Sequence, residues 1–65
     1  MSHYTGKIRV RVAQSGDVDL IGDDGKTYIA SVGVGLHGEG RQQARGDAQR
    51  LVNAWNALHD AEKDA

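Results

Sequence analysis

The apolar positions of this chain fall into two periodicities, and the change from one to the other divides it. In the last third, Ala44, Ala48, Leu51, Val52, Trp55 and Leu58 recur at i, i+4, i+7, i+8, i+11 and i+14. That spacing is one stripe on a 3.6-residue helix. Arg45, Gln49, Asn53, Asn56 and Asp60 fall outside the stripe. Upstream the period is two. Gly6 opens the alternation Lys7-Ile8-Arg9-Val10-Arg11-Val12, a half-buried strand with Ile8, Val10 and Val12 inward and the three cations outward. Gln14-Ser15-Gly16-Asp17 is turn chemistry. Val18, Leu20 and Ile21 form a second strand. Gly22-Asp23-Asp24-Gly25 follows, and Asp-Gly suits the tight turns that join antiparallel strands. Lys26 to Val34 reads as a third strand, more continuously apolar through Ile29, Ala30, Val32 and Val34. It is therefore expected to be the central or best covered strand.

Glycines 33, 35, 38 and 40 then end the strand pattern and let the chain turn into the helix. Glu39 suits the positive end of the helix dipole. Gly46 lies inside the helical pattern, at the edge of the stripe, where a close approach to the sheet would explain it. Met1 to Thr5 reads as a lead-in, and Asp60 to Ala65 is expected to fray. The expected fold is α+β: a three-stranded antiparallel meander packed by one long C-terminal helix, β-β-β-α, as a single small domain over residues 1–65. Trp55 is expected to be largely buried against Ile8, Val10 and Ile29.

Length bears on stability. A 65-residue chain buries only about 60% of its unfolded surface. It has no cysteine, so neither a disulfide nor a thiolate metal site can support it. Both a monomer and a homodimer are compatible with so small a core. The first residues contain no apolar h-region and no apolar run approaches a membrane span, so a cytosolic, soluble protein is expected.

Candidate chemistry is sparse. No catalytic residues emerge: Ser2, Ser15 and Ser31 lack a histidine pattern and a nucleophile elbow. VGVGLHGEGR places glycines before a helix but matches neither dinucleotide nor P-loop spacing. His3, His37 and His59 are scattered, and His59 with Glu62 is only a two-residue helical pairing, so no metal and no cofactor is expected. Charge is the more informative feature. Net charge is −1, which excludes strongly basic nucleic-acid binding by bulk charge and leaves only local patches, so direct nucleic-acid binding is not the expectation. Asp17, Asp19, Asp23 and Asp24 cluster around the second strand, and Asp60, Glu62 and Asp64 at the end of the chain. Lys7, Arg9 and Arg11 line one strand face, and Arg41, Arg45 and Arg50 the first half of the helix.

The stretch Ile29-Ala30-Ser31-Val32, a glycine-bearing gap, and Gly46-Asp47-Ala48-Gln49-Arg50-Leu51-Val52-Asn53-Ala54-Trp55-Asn56-Ala57-Leu58 resembles small open reading frames of tailed phages and prophages, over about half the chain. Such frames carry a strand, a glycine-bearing gap and an alanine-rich helix; Gln49 stands where asparagine is commoner. Some small cysteine-free proteins of phages and mobile elements are anti-CRISPR proteins. The resemblance implies a non-enzymatic inhibitor that binds a host defence complex, a type I Cas surveillance complex being the concrete case. It would block DNA binding through an acidic surface, with Asp17, Asp19, Asp23 and Asp24 as the partner contacts. The alternative is a small nucleic-acid-binding or regulatory phage protein using Lys7, Arg9, Arg11, Arg41 and Arg45.

Overall fold

Alternation, two glycine turns and one long helical stretch produce four elements. The computed structural model describes residues 3–64. Met1, Ser2, Ala65 and the side chain of Asp64 lie outside the described residues, and with them the start of the expected lead-in and one member of the C-terminal acidic cluster. Strands β1 (Ile8–Val12), β2 (Val18–Gly22) and β3 (Tyr28–Val32) are followed by helix α1 (Glu39–Asp64). The strands pair antiparallel in the order β1-β2-β3, with Val10 opposite Leu20 and Val18 opposite Val32. The expected β-β-β-α meander is the architecture of the protein.

Both hairpin turns rest on glycine. Gly16 adopts φ +93° and Gly25 φ +75°, conformations that L side chains disfavour. Beside Gly25, the Asp24 carboxylate accepts the Lys26 and Thr27 backbone N–H groups at 2.8 and 2.9 Å and the Thr27 hydroxyl at 2.7 Å. These bonds, the Thr27 amide foremost, hold its carboxyl below the usual aspartate range.

The core lies between one face of the sheet and the inner side of α1. Ile8, Val18 and Leu20 meet Ala44, Ala48 and Val52, with Tyr4, Val10, Ile29, Val32 and Trp55 packed around them. Alanine at i and i+4 puts little side-chain bulk between the helix and the sheet, and Val52 at i+8 completes the contact.

Several expectations are corrected here. The inner face of the helix follows Ala44, Ala48 and Val52, so Leu51 and Leu58 are 50% and 60% exposed rather than core. At about 100° per residue both leucines sit well round from the Ala48–Val52 line. β2, not β3, is the central strand, and each of its residues is buried. β3 ends at Val32, leaving Val34 and Leu36 exposed. Val12 is 46% exposed at the end of the edge strand. Trp55 is half-buried at the margin of the core. Gly46 faces open space and makes no close approach. The helix does not fray at Asp60 but continues to Asp64.

At about 1.5 Å per residue the 26 residues of α1 extend roughly twice as far as a five-residue strand. The helix therefore overhangs the sheet, and its C-terminal half is tied to β1 by polar bonds. Asn56 accepts the Ile8 N–H at 2.9 Å and donates to the Ile8 carbonyl at 3.0 Å. It occupies the position a neighbouring strand would take on that edge. Trp55 Nε1 donates to the Gly6 carbonyl at 2.9 Å. Lys7 Nζ lies 3.3 Å from Asp60 Oδ1. The neighbouring His59 ring, and after it Lys7, hold the Asp60 carboxyl below the usual range.

Candidate binding face on the open side of the sheet

The helix covers one face of the sheet. Strand alternation puts Arg9 and Arg11 on the other, opposite Ile21 and Asp19 of β2. From β3, Ser31 reaches the same face in regular register opposite Asp19, and Tyr28 reaches it through an irregularity. The β2–β3 register runs Asp19 to Ser31 and Leu20 to Ala30, then jumps to Ile21 with Tyr28, so that Ile29 is an extra residue in the ladder. Without the bulge, Ile29 would point to the open face and Tyr28 toward the helix. With it, Ile29 packs on the core and Tyr28 stands on the open face, 59% exposed.

A polar chain crosses the three strands on this face. Asp19 is only 7% exposed. Its Oδ2 takes the Arg11 Nη2 at 3.3 Å, and its Oδ1 accepts the Ser31 hydroxyl at 2.7 Å. The Tyr28 hydroxyl lies 2.6 Å from Ser31 Oγ. The single Ser31 proton is committed to the carboxylate, so the Tyr28 O–H donates to Ser31. Removing a carboxylate from water is unfavourable unless it is fully partnered, and here each partner is a side chain carried by a neighbouring strand. The result is a cation and an aromatic ring held in place, Arg11 with half its side chain in solvent. Arg9 stands beside them, close to Gly25. Ile21, between its cross-strand partners Arg9 and Tyr28, is buried by their stems.

The four aspartates expected as partner contacts do not share a surface. Asp17 lies in the β1–β2 turn, where its carboxylate takes the Ser15 hydroxyl at 3.2 Å. Asp19 is buried under the Arg11 ion pair. Asp23 and Asp24 lie at the opposite end of β2, with Asp24 occupied by its own turn and Asp23 exposed. The cations are likewise divided. Lys7 turns to Asp60 on the helix, Arg41 lies over Gly16 in the first turn, and Arg45 is exposed on α1. Only Arg9 and Arg11 of that set share the open face.

Tyr28 and Ser31 were not expected at a site. Their one trace in the sequence is the adjacent apolar pair Ile29-Ala30, which breaks the alternation of β3 and so allows a bulge. Among the described residues no three His, Asp or Glu side chains converge as metal ligands. Among the same residues no helix is long and apolar enough to cross a membrane. The chain matches no protein family, no curated protein and no solved structure.

Proposed function

We propose that this protein is a binding module, not an enzyme, and that the open sheet face takes single-stranded nucleic acid. The observation that carries the reading is the placing of Arg9, Arg11 and Tyr28 together on the uncovered face, with Arg11 and Tyr28 fixed through Asp19 and Ser31. Guanidinium groups pair with phosphate oxygens, and an exposed ring offers a stacking surface to any base. A face with so few cations, on a chain of net charge −1, suits weak and salt-sensitive binding to a flexible strand. The groove of a rigid duplex would ask for a broader basic surface.

The test is fluorescence anisotropy of a labelled oligothymidine and of its RNA counterpart across a salt series. The wild-type chain should bind at low salt. Arg9→Ala should lower the slope of log K against log salt by about 0.7, one phosphate, and Arg11→Ala by less, because Asp19 already offsets its charge. Tyr28→Ala should weaken binding by about tenfold, while Arg45→Ala on the helix should change little. Absence of binding at low salt, or binding indifferent to all three open-face positions, would remove the proposal.

The second reading is the phage-encoded inhibitor of a Cas surveillance complex. Its support on this molecule is the β2–β3 turn, where Asp23 is exposed and Asp24 is held ionised beside it. This reading predicts that a CRISPR-targeted phage regains plaquing on hosts expressing the protein, and loses it again with Asp23→Lys. Unrestored plaquing across the type I systems would count against it.

A further inference from the structure

A second constellation lies where the helix overhangs the sheet, away from the open face. Trp55, Leu58, His59 and Glu62 are spaced i, i+3, i+4 and i+7, which places them on one side of α1. Facing them across a cleft of about 180 Å³ are His3 and Tyr4.

Both aromatic rings are fixed. The Trp55 indole is anchored by its Nε1 bond to the Gly6 carbonyl, 2.9 Å. Tyr4 lies against Gly6 and Gly22, and a Cβ added at Gly22 would come within 2.7 Å of the Tyr4 ring. Glycine at positions 6 and 22 thus leaves room for the tyrosine side chain beside the end of β2. Glu62 is exposed, and none of the ion pairs among the described residues involves it. His59 directs Nδ1 at Asp60, 3.4 Å away, and Asp60 is in turn held by Lys7. The nearby carboxylate of Asp60 is therefore engaged, and that of Glu62 is not.

We propose that this cleft binds a small free organic cation of the quaternary-ammonium type. Two aromatic rings, the aliphatic end of Leu58 and an unpaired carboxylate suit a charge wrapped in methyl groups. The rings attract the cation through their quadrupoles, the methyls fill apolar space, and Glu62 supplies the opposite charge. A metal ion would need several converging oxygen or nitrogen ligands, which the described residues do not offer. A compact ammonium ion would keep its water and gain little from the rings. The site shares no residue with the open sheet face, so the two proposals stand or fall separately.

Trp55 is the sole tryptophan and so reports directly on the cleft. The experiment is a fluorescence titration of the full chain with choline chloride at constant ionic strength and constant pH. The neutral isostere 3,3-dimethyl-1-butanol is titrated in parallel. Choline should give a saturable change in the millimolar range, as expected for a ligand with few atoms, and the isostere should bind about fivefold more weakly. Glu62→Gln, at an exposed helix position, should weaken choline by about fivefold and leave the isostere unchanged. Gly22→Ala, which displaces Tyr4, should weaken both ligands. No saturable response to about 100 mM choline, equal affinity for the isostere, or a Glu62→Gln variant that binds choline like wild type would each overturn the proposal. Because Glu62→Gln touches no core residue, this result remains decisive even if Gly22→Ala fails to fold.

Discussion

The two faces of the sheet are built by different means. On the covered face, Ile8, Val18 and Leu20 meet Ala44, Ala48 and Val52, and contact is non-directional apolar burial. On the open face, Arg11, Asp19, Ser31 and Tyr28 form one hydrogen-bonded line across three strands. The covered face tolerates apolar residues of the right size and shape. The open face works only with donors and acceptors in their present places. Stability rests on one side of the three strands, and the side proposed for recognition is held by directional bonds instead. Of its members, Tyr28 owes its place to a single extra residue, Ile29.

The contrast can be broken most severely from the covered side. Leu20→Ala should destabilise by about 3 kcal/mol. That is a large share of the stability of a 65-residue domain, so a urea midpoint close to wild type would show that the helix–sheet core is misassigned. The edge of the sheet comes next. Asn56→Ala removes both bonds to the Ile8 backbone and should cost about 2 kcal/mol. Hydrogen exchange at the Ile8 amide should speed up more than at amides of β2, and uniform acceleration would contradict an edge-capping role.

On the open face the stability effect is smaller and the binding effect larger. Asp19→Ala frees Arg11 into solvent and leaves Ser31 without its acceptor, for a loss of about 1–2 kcal/mol. It should also release Tyr28, visible as averaging of its χ1 rotamers in the NMR Hα–Hβ couplings. A ring as well ordered as in wild type would show that the polar chain does not hold it. The smallest effect is acid sensitivity at Asp24. Its folded-state pKa lies below the unfolded one, so the unfolded chain takes up the proton first. The stability it contributes is present above about pH 4 and declines as the pH falls through the folded value. Asp24→Asn should flatten stability against pH on the acid side of about pH 4 relative to wild type. An unchanged acid limb would assign that limb to other carboxylates.

The placing of the aspartates illustrates how far proximity in sequence misleads. Asp17, Asp19, Asp23 and Asp24 fall within eight positions. Yet a five-residue strand separates its two end turns by roughly 13–17 Å, and Asp19 in mid-strand is buried against Arg11. Arg9 and Arg11 were legible as companions because both lie in one strand at a spacing of two. Tyr28 was not, because its face depends on the register of β3 against β2.

By itself the sequence determined the elements and their order. Period two, two Gly-containing turns and a 3.6-residue stripe are local properties, and each carries its own physical cause. It also determined that Ile8, Val18, Leu20, Ala44, Ala48 and Val52 could close on one another. Tertiary structure decided which residues of a generous apolar set were used. It kept Ala44, Ala48 and Val52 inside and left Leu51 and Leu58 outside, because the helix packs against the sheet along its small residues. It decided that Asn56, polar by sequence, closes an edge of the sheet. It decided as well, through one bulge, that Tyr28 joins Arg9 and Arg11. These outcomes depend on pairing between distant segments, and no local period along the chain encodes where two strands slip by one residue.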